Sequence, residues 1–251
     1  MFLNMQACIN IRIVMSICML LLAGSSFTQV QQQYLQANER GTLLLSDIEK
    51  YYLTVNEDSN QLMVPLTKYI PELQTPWPYA STNNFTQKIL YQQPVALLRL
   101  PAAKALHAVA DSLATLGYGI ILFDAYRPYA VTELMWQYVP DERYTANPAK
   151  GSGHNRGATV DISLYNLATK QPLAMPTPFD DFRPMAHHDY MELPATVIAN
   201  RALLRNIMEY FGFVAFETEW WHYSFKNHTQ RFPLMNFSFQ VLHRAYQKIT
   251  R

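Results

Sequence analysis

The segment SGHNRGATVDISL, residues 152–164, contains two side chains that could bind a metal ion. His154 and Asp161 lie seven residues apart, at the start of an apolar alternation that is typical of a strand. A catalytic zinc ion takes three protein ligands and leaves a fourth position for water. His154 and Asp161 could supply two of these ligands, so the third would come from the other six of the seven histidines.

The segment ETEWWHY offers the third ligand together with a general base. His222 follows Glu219 by three residues, near the end of a predicted strand. Hydrolysis at a metal needs a carboxylate within reach of the nucleophilic water. Glu219 could act in this way, and Glu217 is the competing candidate. Residues three apart in a regular strand face opposite sides, so this pairing requires a bulge, a turn or the strand end between Trp220 and His222.

The elements that must hold these residues are helices and strands in irregular order. Helices are predicted from Pro101 to about Gly117, from about Pro128, and over LPATVIANRALLRNIMEYFGF up to Gly212. Strands are predicted for IILFDA, TVDISL and FVAFETEWWHYSF. Because regular βαβ alternation is missing, this order indicates an α+β fold, a single domain with a central, mainly antiparallel sheet flanked by helices.

The first 25 residues are predicted to be a signal peptide. Arg12 precedes an apolar run of twelve residues, too short for the about 20 residues that span a bilayer, and the small residues Ala23 and Ser25 follow. The alternative is an uncleaved anchor. Both cysteines, Cys8 and Cys18, lie in this segment, so a metal site of the mature chain would use histidine and carboxylate ligands. We therefore expect an exported protein of a bacterial periplasm or cell envelope, without stable membrane insertion after cleavage.

The composition is that of an ordinary globular protein. The 251 residues are 49% hydrophobic and 16% charged, with a formal net charge of +1, which suits one substantial core. This near-zero charge gives no electrostatic reason to expect nucleic acid or an anionic membrane surface as a partner. The oligomeric state cannot be read from the sequence.

Six segments, in matching order, resemble the zinc D-alanyl-D-alanine dipeptidases of the vancomycin-resistance type, within the wider D-Ala-D-Ala-cleaving and hedgehog-like metallopeptidase fold. They are YASTNNFT, FDAYRP, SGHNRGATVDISL, PTPFDDFRPMAHH, NRALLRNIMEYFGF and EWWHY, and together they cover about residues 79–225. The sequence departs from the family pattern at Pro176, where glycine is usual. The first 78 residues have no clear counterpart in the family, so the chain is predicted to comprise a signal peptide (1–25), an extension packed on the domain (26–78) and a catalytic domain (79–251).

Carried over position by position, the resemblance implies a role for eight residues. One zinc ion per chain would be bound by His154, Asp161 and His222. Glu219 corresponds to the catalytic base, and Arg127 to the arginine that stabilises the developing oxyanion. The residues that correspond to the pocket of the substrate's free ammonium group are Ser152, Asp180 and Tyr79.

The function implied by this resemblance is zinc-dependent hydrolysis of a small D,D-dipeptide, D-Ala-D-Ala. A buried carboxylate at Asp180 that binds a free amino terminus would reject acylated peptides, which favours a dipeptidase. The alternative on the same fold is a D,D- or L,D-carboxypeptidase that trims peptidoglycan stem peptides. A zinc-stabilised binding module without catalysis is disfavoured because both Glu219 and Arg127 are present.

Overall fold

The computed structural model describes residues 32–251, and the predicted signal peptide with both cysteines lies outside this range. The strands are β1 (Gln36–Ala37), β2 (Leu43–Leu44), β3 (Met63–Pro65), β4 (Leu97–Arg99), β5 (Tyr118–Asp124), β6 (Thr159–Asn166), β7 (Phe213–Phe216) and β8 (Glu219–Phe225). The helices are α1 (Ile48–Glu57), α2 (Leu100–Thr115), α3 (Tyr129–Tyr138), α4 (Ala195–Tyr210), α5 (His228–Arg231) and α6 (Phe239–Ile249).

A four-stranded antiparallel sheet in the order β5-β6-β8-β7 forms the centre of the structure. The strand β6 runs through its middle, and Val160, Ile162 and Leu164 are fully buried in the main core. The helix α2 packs against β5, α4 packs against β7, and the two helices contact each other. The α+β class predicted from the sequence is therefore confirmed.

The predicted helices form because their sequences carry clear end signals. Helix α2 has Pro101 in its first turn, where the missing N–H costs nothing. Five of its side chains are buried at helical spacing: Ala102, Ala103, Leu106, Val109 and Leu113. Gly117, at φ +82°, follows α2, and Gly212, at φ +89°, follows α4. Both glycines adopt the left-handed conformation that commonly ends a helix.

Residues 213–225 form two strands, so the single strand predicted for this region is wrong. The strand β7 ends at Phe216 and β8 begins at Glu219, which leaves Glu217 and Thr218 as the turn of a hairpin. Neither turn residue is the glycine, asparagine or aspartate that marks most tight hairpins, so the sequence gives no local signal for the turn. An ion pair between Glu217 and Arg205 of α4 tethers the turn instead.

Residues 32–78 pack on the rest of the chain. The strand β3 pairs with β4, in the register Met63 opposite Arg99. The hydroxyl of Tyr51 accepts a hydrogen bond from the backbone N–H of Met63 at 2.8 Å, and Tyr51 lies in a second core with Phe237 near the carboxyl terminus. The predicted domain boundary after residue 78 stays a prediction. Within residues 32–251, no helix combines the length and the apolar character needed to span a membrane.

Candidate active site

One cavity of about 220 Å³ brings together all the residues to which a role was assigned from the sequence. Its lining includes Tyr79, Arg127, Ser152, His154, Asp161, Asp180, Glu219 and His222. These residues come from separate loops and strands, so the fold and not sequence proximity creates the cavity. Their individual roles stay predictions.

His154 is held in a tight turn that leaves one ring nitrogen without a partner. Residues His154–Arg156 form a single 3-10 turn. The Nδ1 of His154 lies 2.7 Å from the carbonyl oxygen of Ala125. Because a carbonyl only accepts, Nδ1 carries a proton, and Nε2 is the ring nitrogen left to bind a metal. This Nε2 is buried and has no hydrogen-bond partner, which is the arrangement of a metal-binding histidine oriented by a backbone carbonyl.

Two glycines allow this turn to pack as closely as it does. A Cβ on Gly153 would lie 2.0 Å from the hydroxyl oxygen of Thr159. Gly157 has φ +68°, and a Cβ there would lie 2.5 Å from the terminal methyl group of Met63. The motif therefore needs glycine at both positions, and β3, which lies in the predicted extension, contacts the turn that carries His154.

Asp161 and His222 complete a cluster of three candidate ligands. They lie directly opposite each other on β6 and β8. Asp161 Oδ2 lies 3.3 Å from His154 Nε2, and Asp161 Oδ1 lies 3.0 Å from His222 Nδ1. Burial alone would raise the pKa of Asp161, but the two histidines lower it below its usual value, so the carboxyl group is ionised.

This cluster fits a zinc ion. One ligand atom from each of the three residues lies within 4.8 Å of the others. Two of the buried atoms, His154 Nε2 and Asp161 Oδ1, lie close to their neighbours in the cluster without forming a hydrogen bond of suitable geometry. Two imidazoles and one carboxylate form a donor set that catalytic zinc sites use, with the fourth position left to water.

Glu219 lies beside the cluster, with its Oε2 3.6 Å from His222 Nδ1. The rule that residues three apart in a strand face opposite sides does not apply here, because the pairing of β7 with β8 is irregular. Phe216 pairs with Glu219, whereas the preceding Ala215 pairs with Tyr223. The intervening residues of β8 bulge out, and the bulge lets Glu219 and His222 reach the same cavity. Burial raises the pKa of Glu219 to about 8, a value suited to proton transfer near neutral pH.

Glu217, the competing candidate for the base, points to the surface. Its two carboxylate oxygens accept hydrogen bonds from Arg205 at 2.8 and 3.1 Å, and its side chain is 66% exposed. The hydrogen bond from Arg205 lowers the pKa of Glu217. The geometry therefore favours Glu219 as the base.

Arg127 follows β5 and is joined directly to the His154 turn, because its backbone N–H donates to the carbonyl oxygen of His154 at 3.2 Å. Its Nε and Nη2 donate to Asp124 Oδ2 at 2.9 and 2.7 Å. Asp124 is fully buried and also accepts the hydroxyl of Tyr91 at 2.7 Å. Burial disfavours the charge on Arg127, but Asp124 restores it and holds the pKa well above its usual value. The cavity therefore contains a rigidly held, permanently charged donor.

Asp180 and Tyr79 form an acidic corner of the cavity. The Tyr79 hydroxyl donates to Asp180 Oδ1 at 3.1 Å, and Asp180 Oδ2 is buried without a hydrogen-bond partner. Burial raises the pKa of Asp180 well above its usual value, so a cation is needed to keep the carboxylate ionised. The backbone of Asp180 has φ +61°, a strained conformation for a residue other than glycine that is often found at functional positions.

Ser152 is buried at the start of the His154 turn. Its hydroxyl oxygen accepts the backbone N–H of His154 at 3.2 Å. Its own N–H donates to the side-chain oxygen of Asn155 at 3.0 Å, and Asn155 Nδ2 donates to the carbonyl oxygen of Arg127 at 2.9 Å. These bonds fix the relative positions of the metal-ligand turn and the segment that carries Arg127.

The sequence analysis missed several residues that shape the cavity. Asp124 could have been found, because it precedes Arg127 by three residues within FDAYRP and can form an ion pair with it. Tyr91 comes from a loop whose local spacing gives no signal. The same is true of an aromatic rim that lines the cavity: Phe85, Tyr144, Phe182 and Phe216.

Comparison with known proteins identifies relatives of this chain. A family profile described as D-ala-D-ala dipeptidase matches residues 59–241. A D-alanyl-D-alanine dipeptidase of Escherichia coli (strain K12) is 36% identical over 162 residues, which cover 64% of this chain and 83% of that protein. One from Streptomyces coelicolor is 35% identical over 170 residues, with 59% and 83% covered. Among solved structures, that of the LdcB LD-carboxypeptidase has a TM-score of 0.38 at 16% identity and covers 74% of this chain and 73% of that chain.

Proposed function

Because the chain belongs to the D-Ala-D-Ala dipeptidase family of metallopeptidases, we propose that it hydrolyses the free dipeptide D-Ala-D-Ala to D-alanine. The family alone supports hydrolysis of a small dipeptide or another D,D-peptide. The observation that carries the finer proposal is the buried acidic corner of Asp180 and Tyr79 beside the metal-ligand cluster.

One zinc ion per chain is bound by His154, Asp161 and His222 in this proposal. The short distances within the cluster and its unpaired buried atoms support these ligands. A zinc ion bound there would polarise the scissile carbonyl group and lower the pKa of a water molecule.

Glu219 accepts a proton from the attacking water and passes it to the leaving amine. The burial of Glu219, its pKa of about 8 and its proximity to His222 support this role. Arg127 stabilises the oxygen that becomes negatively charged. Its Nε and Nη2 are bonded to Asp124, which orients the guanidinium so that the remaining N–H groups can donate to that oxygen.

Asp180 binds the ammonium group of the substrate, with Tyr79 and Ser152 in the same pocket. A free ammonium group supplies the charge and the hydrogen bond that the buried Oδ2 of Asp180 lacks. An acylated nitrogen has no charge and would leave Asp180 desolvated and unpaired. We therefore expect free dipeptides to be preferred over longer peptides.

The test is release of D-alanine from D-Ala-D-Ala, L-Ala-D-Ala and N-acetyl-D-Ala-D-Ala, with and without a zinc chelator. We expect fast, chelator-sensitive hydrolysis of D-Ala-D-Ala and slow hydrolysis of the acetylated peptide. Equal hydrolysis of the acetylated peptide would favour the alternative, a D,D- or L,D-carboxypeptidase that trims peptidoglycan stem peptides. Failure to cleave D-Ala-D-Ala would contradict the proposal.

Export to the periplasm or cell envelope is part of the proposal. The apolar run after Arg12 and the small residues that follow support it. Amino-terminal sequencing of the protein from its native cells should find a mature chain that begins near Ser25. A chain that begins at Met1 in the cytosol would show the signal peptide prediction to be wrong.

A further inference from the structure

Phe216, the last residue of β7, borders three adjoining cavities. It lines the active-site cavity of about 220 Å³. It also lines a hairpin cavity of about 300 Å³, formed by residues 214–216, 222 and 224–230. The third, here named the outer cavity, has about 480 Å³ and is formed by residues 142–144, 182, 184, 187, 216 and 218. Phe216 is the one residue that lines all three of these cavities; Glu142, Tyr144 and Phe182 also lie between the active site and the outer cavity, and His222 between the active site and the hairpin cavity.

The alternation of β7 explains why an aromatic side chain stands at this point. Phe213 and Ala215 are buried in the main core, whereas Val214 and Phe216 are 49% and 45% exposed on the other face. Packing in the core therefore does not explain why residue 216 is aromatic. Its ring lies 5.4 Å from the ring of His222, at an interplanar angle of 59°. Phe216 thus covers the candidate metal ligand from the solvent side of the hairpin.

The acidic corner and Phe216 have different neighbours within the active-site cavity. The ring of Tyr79 contacts those of Phe85 and Phe179, and its hydroxyl bonds to Asp180. The ring contact of Phe216 is instead with His222. If the ammonium group of a dipeptide binds at Asp180 and its peptide bond lies at the metal cluster, the carboxyl-terminal residue continues past the cluster, which Phe216 borders at His222.

We infer that Phe216 is a specificity-determining residue that restricts the carboxyl-terminal residue of the dipeptide to a small side chain. This inference rests on the proposed function. A bulky side chain at that position needs the space that the Phe216 ring occupies. Removal of the ring would join the active-site cavity to the hairpin and outer cavities. These two cavities are large enough to accept a bulky side chain of the substrate.

The test compares kcat/KM for D-Ala-D-Ala, D-Ala-D-Phe and D-Phe-D-Ala in the zinc-loaded unmodified protein and in Phe216→Ala. We expect the ratio of D-Ala-D-Phe to D-Ala-D-Ala to rise at least about 10-fold in the variant, since pocket size commonly discriminates by 10- to 200-fold. The ratio of D-Phe-D-Ala to D-Ala-D-Ala should not change. Phe216→Leu should give an intermediate rise in the first ratio.

Val214→Ala is the matched control, because Val214 lies on the same exposed face of β7 and lines only the hairpin cavity of the three. Val214→Ala should leave the ratios of kcat/KM among the three substrates unchanged. An unchanged ratio in Phe216→Ala, an equal gain for D-Phe-D-Ala, or the same gain in Val214→Ala would overturn the inference while hydrolysis of D-Ala-D-Ala persists. Loss of zinc from both Phe216 variants would also overturn it, since Phe216 would then be a support for His222. Failure of the unmodified protein to cleave D-Ala-D-Ala would instead refute the proposed function and the inference with it.

Discussion

Asp161 and His222 face each other across β6 and β8, with Asp161 Oδ1 3.0 Å from His222 Nδ1. Asp124, the residue that holds Arg127, lies opposite Asp161 on the neighbouring strand β5. Three adjacent strands thus align two candidate metal ligands and the ion-pair partner of Arg127 in one row. A slip of one residue would turn a whole strand's side chains to the other face, so the register of this sheet is a condition for the site.

Replacement of His222 should remove zinc without unfolding the protein. His222→Ala deletes one of the three proposed ligands, and His222 lines the cavity and belongs to neither hydrophobic core, so the packing of the core is kept. We expect zinc affinity to fall by more than the about 10- to 100-fold typical of residues that only orient a ligand. Elemental analysis after dialysis measures the zinc that remains. His243→Ala, which changes a half-buried partner of Gln247 on α6, is the control; full zinc retention in His222→Ala would show the ligand assignment to be wrong.

Replacement of Glu219 should separate proton transfer from metal binding. Glu219→Gln should keep zinc and fold while kcat falls by about 10²–10⁴-fold, because the amide cannot take up a proton. Glu217→Gln is the matched control and should keep near-normal kcat, since its parent side chain pairs with Arg205 at the surface. Steady-state kinetics of both variants with D-Ala-D-Ala shows which of the two glutamates is the base. The reverse result would identify Glu217 as the base.

Replacement of Arg127 should act on the transition state more than on substrate binding. We expect Arg127→Ala to lower kcat by about 10²–10³-fold with a smaller change in KM. It also leaves the buried Asp124 without its ion-pair partner, which typically costs about 3–5 kcal/mol of stability. Arg127→Lys keeps a cation beside Asp124 but not the planar guanidinium, so it should recover stability more than kcat. A change in KM alone would contradict the proposed role.

Replacement of Asp180 should change the choice of substrate. Asp180→Asn keeps the size of the side chain but loses the charge that would bind an ammonium group. Hydrogen bonds to charged groups contribute about 1.5–3 kcal/mol, so KM for D-Ala-D-Ala should rise by about one to two orders of magnitude. The difference in kcat/KM between D-Ala-D-Ala and N-acetyl-D-Ala-D-Ala should become smaller. Asp181→Asn is the control, because Asp181 pairs with Arg183; an unchanged difference in Asp180→Asn would argue against ammonium binding at this site.

His188 should make the folded state less stable in mild acid. Burial lowers its pKa from the usual 6.5 to about 4, and its Nε2 is buried without a hydrogen-bond partner. The unfolded chain therefore takes up a proton at higher pH than the folded one, so stability is complete above pH 6.5 and falls as the pH drops from 6.5 toward 4. Urea unfolding at several pH values in this range measures the free energy of unfolding. This free energy should decline less steeply with falling pH in His188→Gln than in the unmodified protein. His107→Gln, at a half-exposed position on α2, should leave the decline unchanged; equal slopes in all three proteins would contradict the prediction.

Local signals were sufficient for most helices and for β5 and β6. Proline and glycine at the ends of α2 and the regular alternation of β6 are short-range features, and the structure follows them closely. The hairpin at Glu217 and Thr218 was not predicted, because its turn depends on Arg205, which lies outside the segment. The aromatic rim was missed for the same reason, since Phe182 and Phe216 meet the cavity only through long-range packing.

The sequence by itself determined which kinds of ligand are available and in which order they occur along the chain. The alternation around Asp161 and the EWWHY segment indicated candidate metal ligands and a base, and the resemblance to the family added Arg127, Ser152, Asp180 and Tyr79. Only the tertiary structure decided how they act together. The bulge in β8 brings Glu219 and His222 to one cavity, the fold turns Glu217 to Arg205, and burial raises the pKa values of Glu219 and Asp180. These properties depend on desolvation and on contacts between distant segments, and neither quantity exists until the chain has folded.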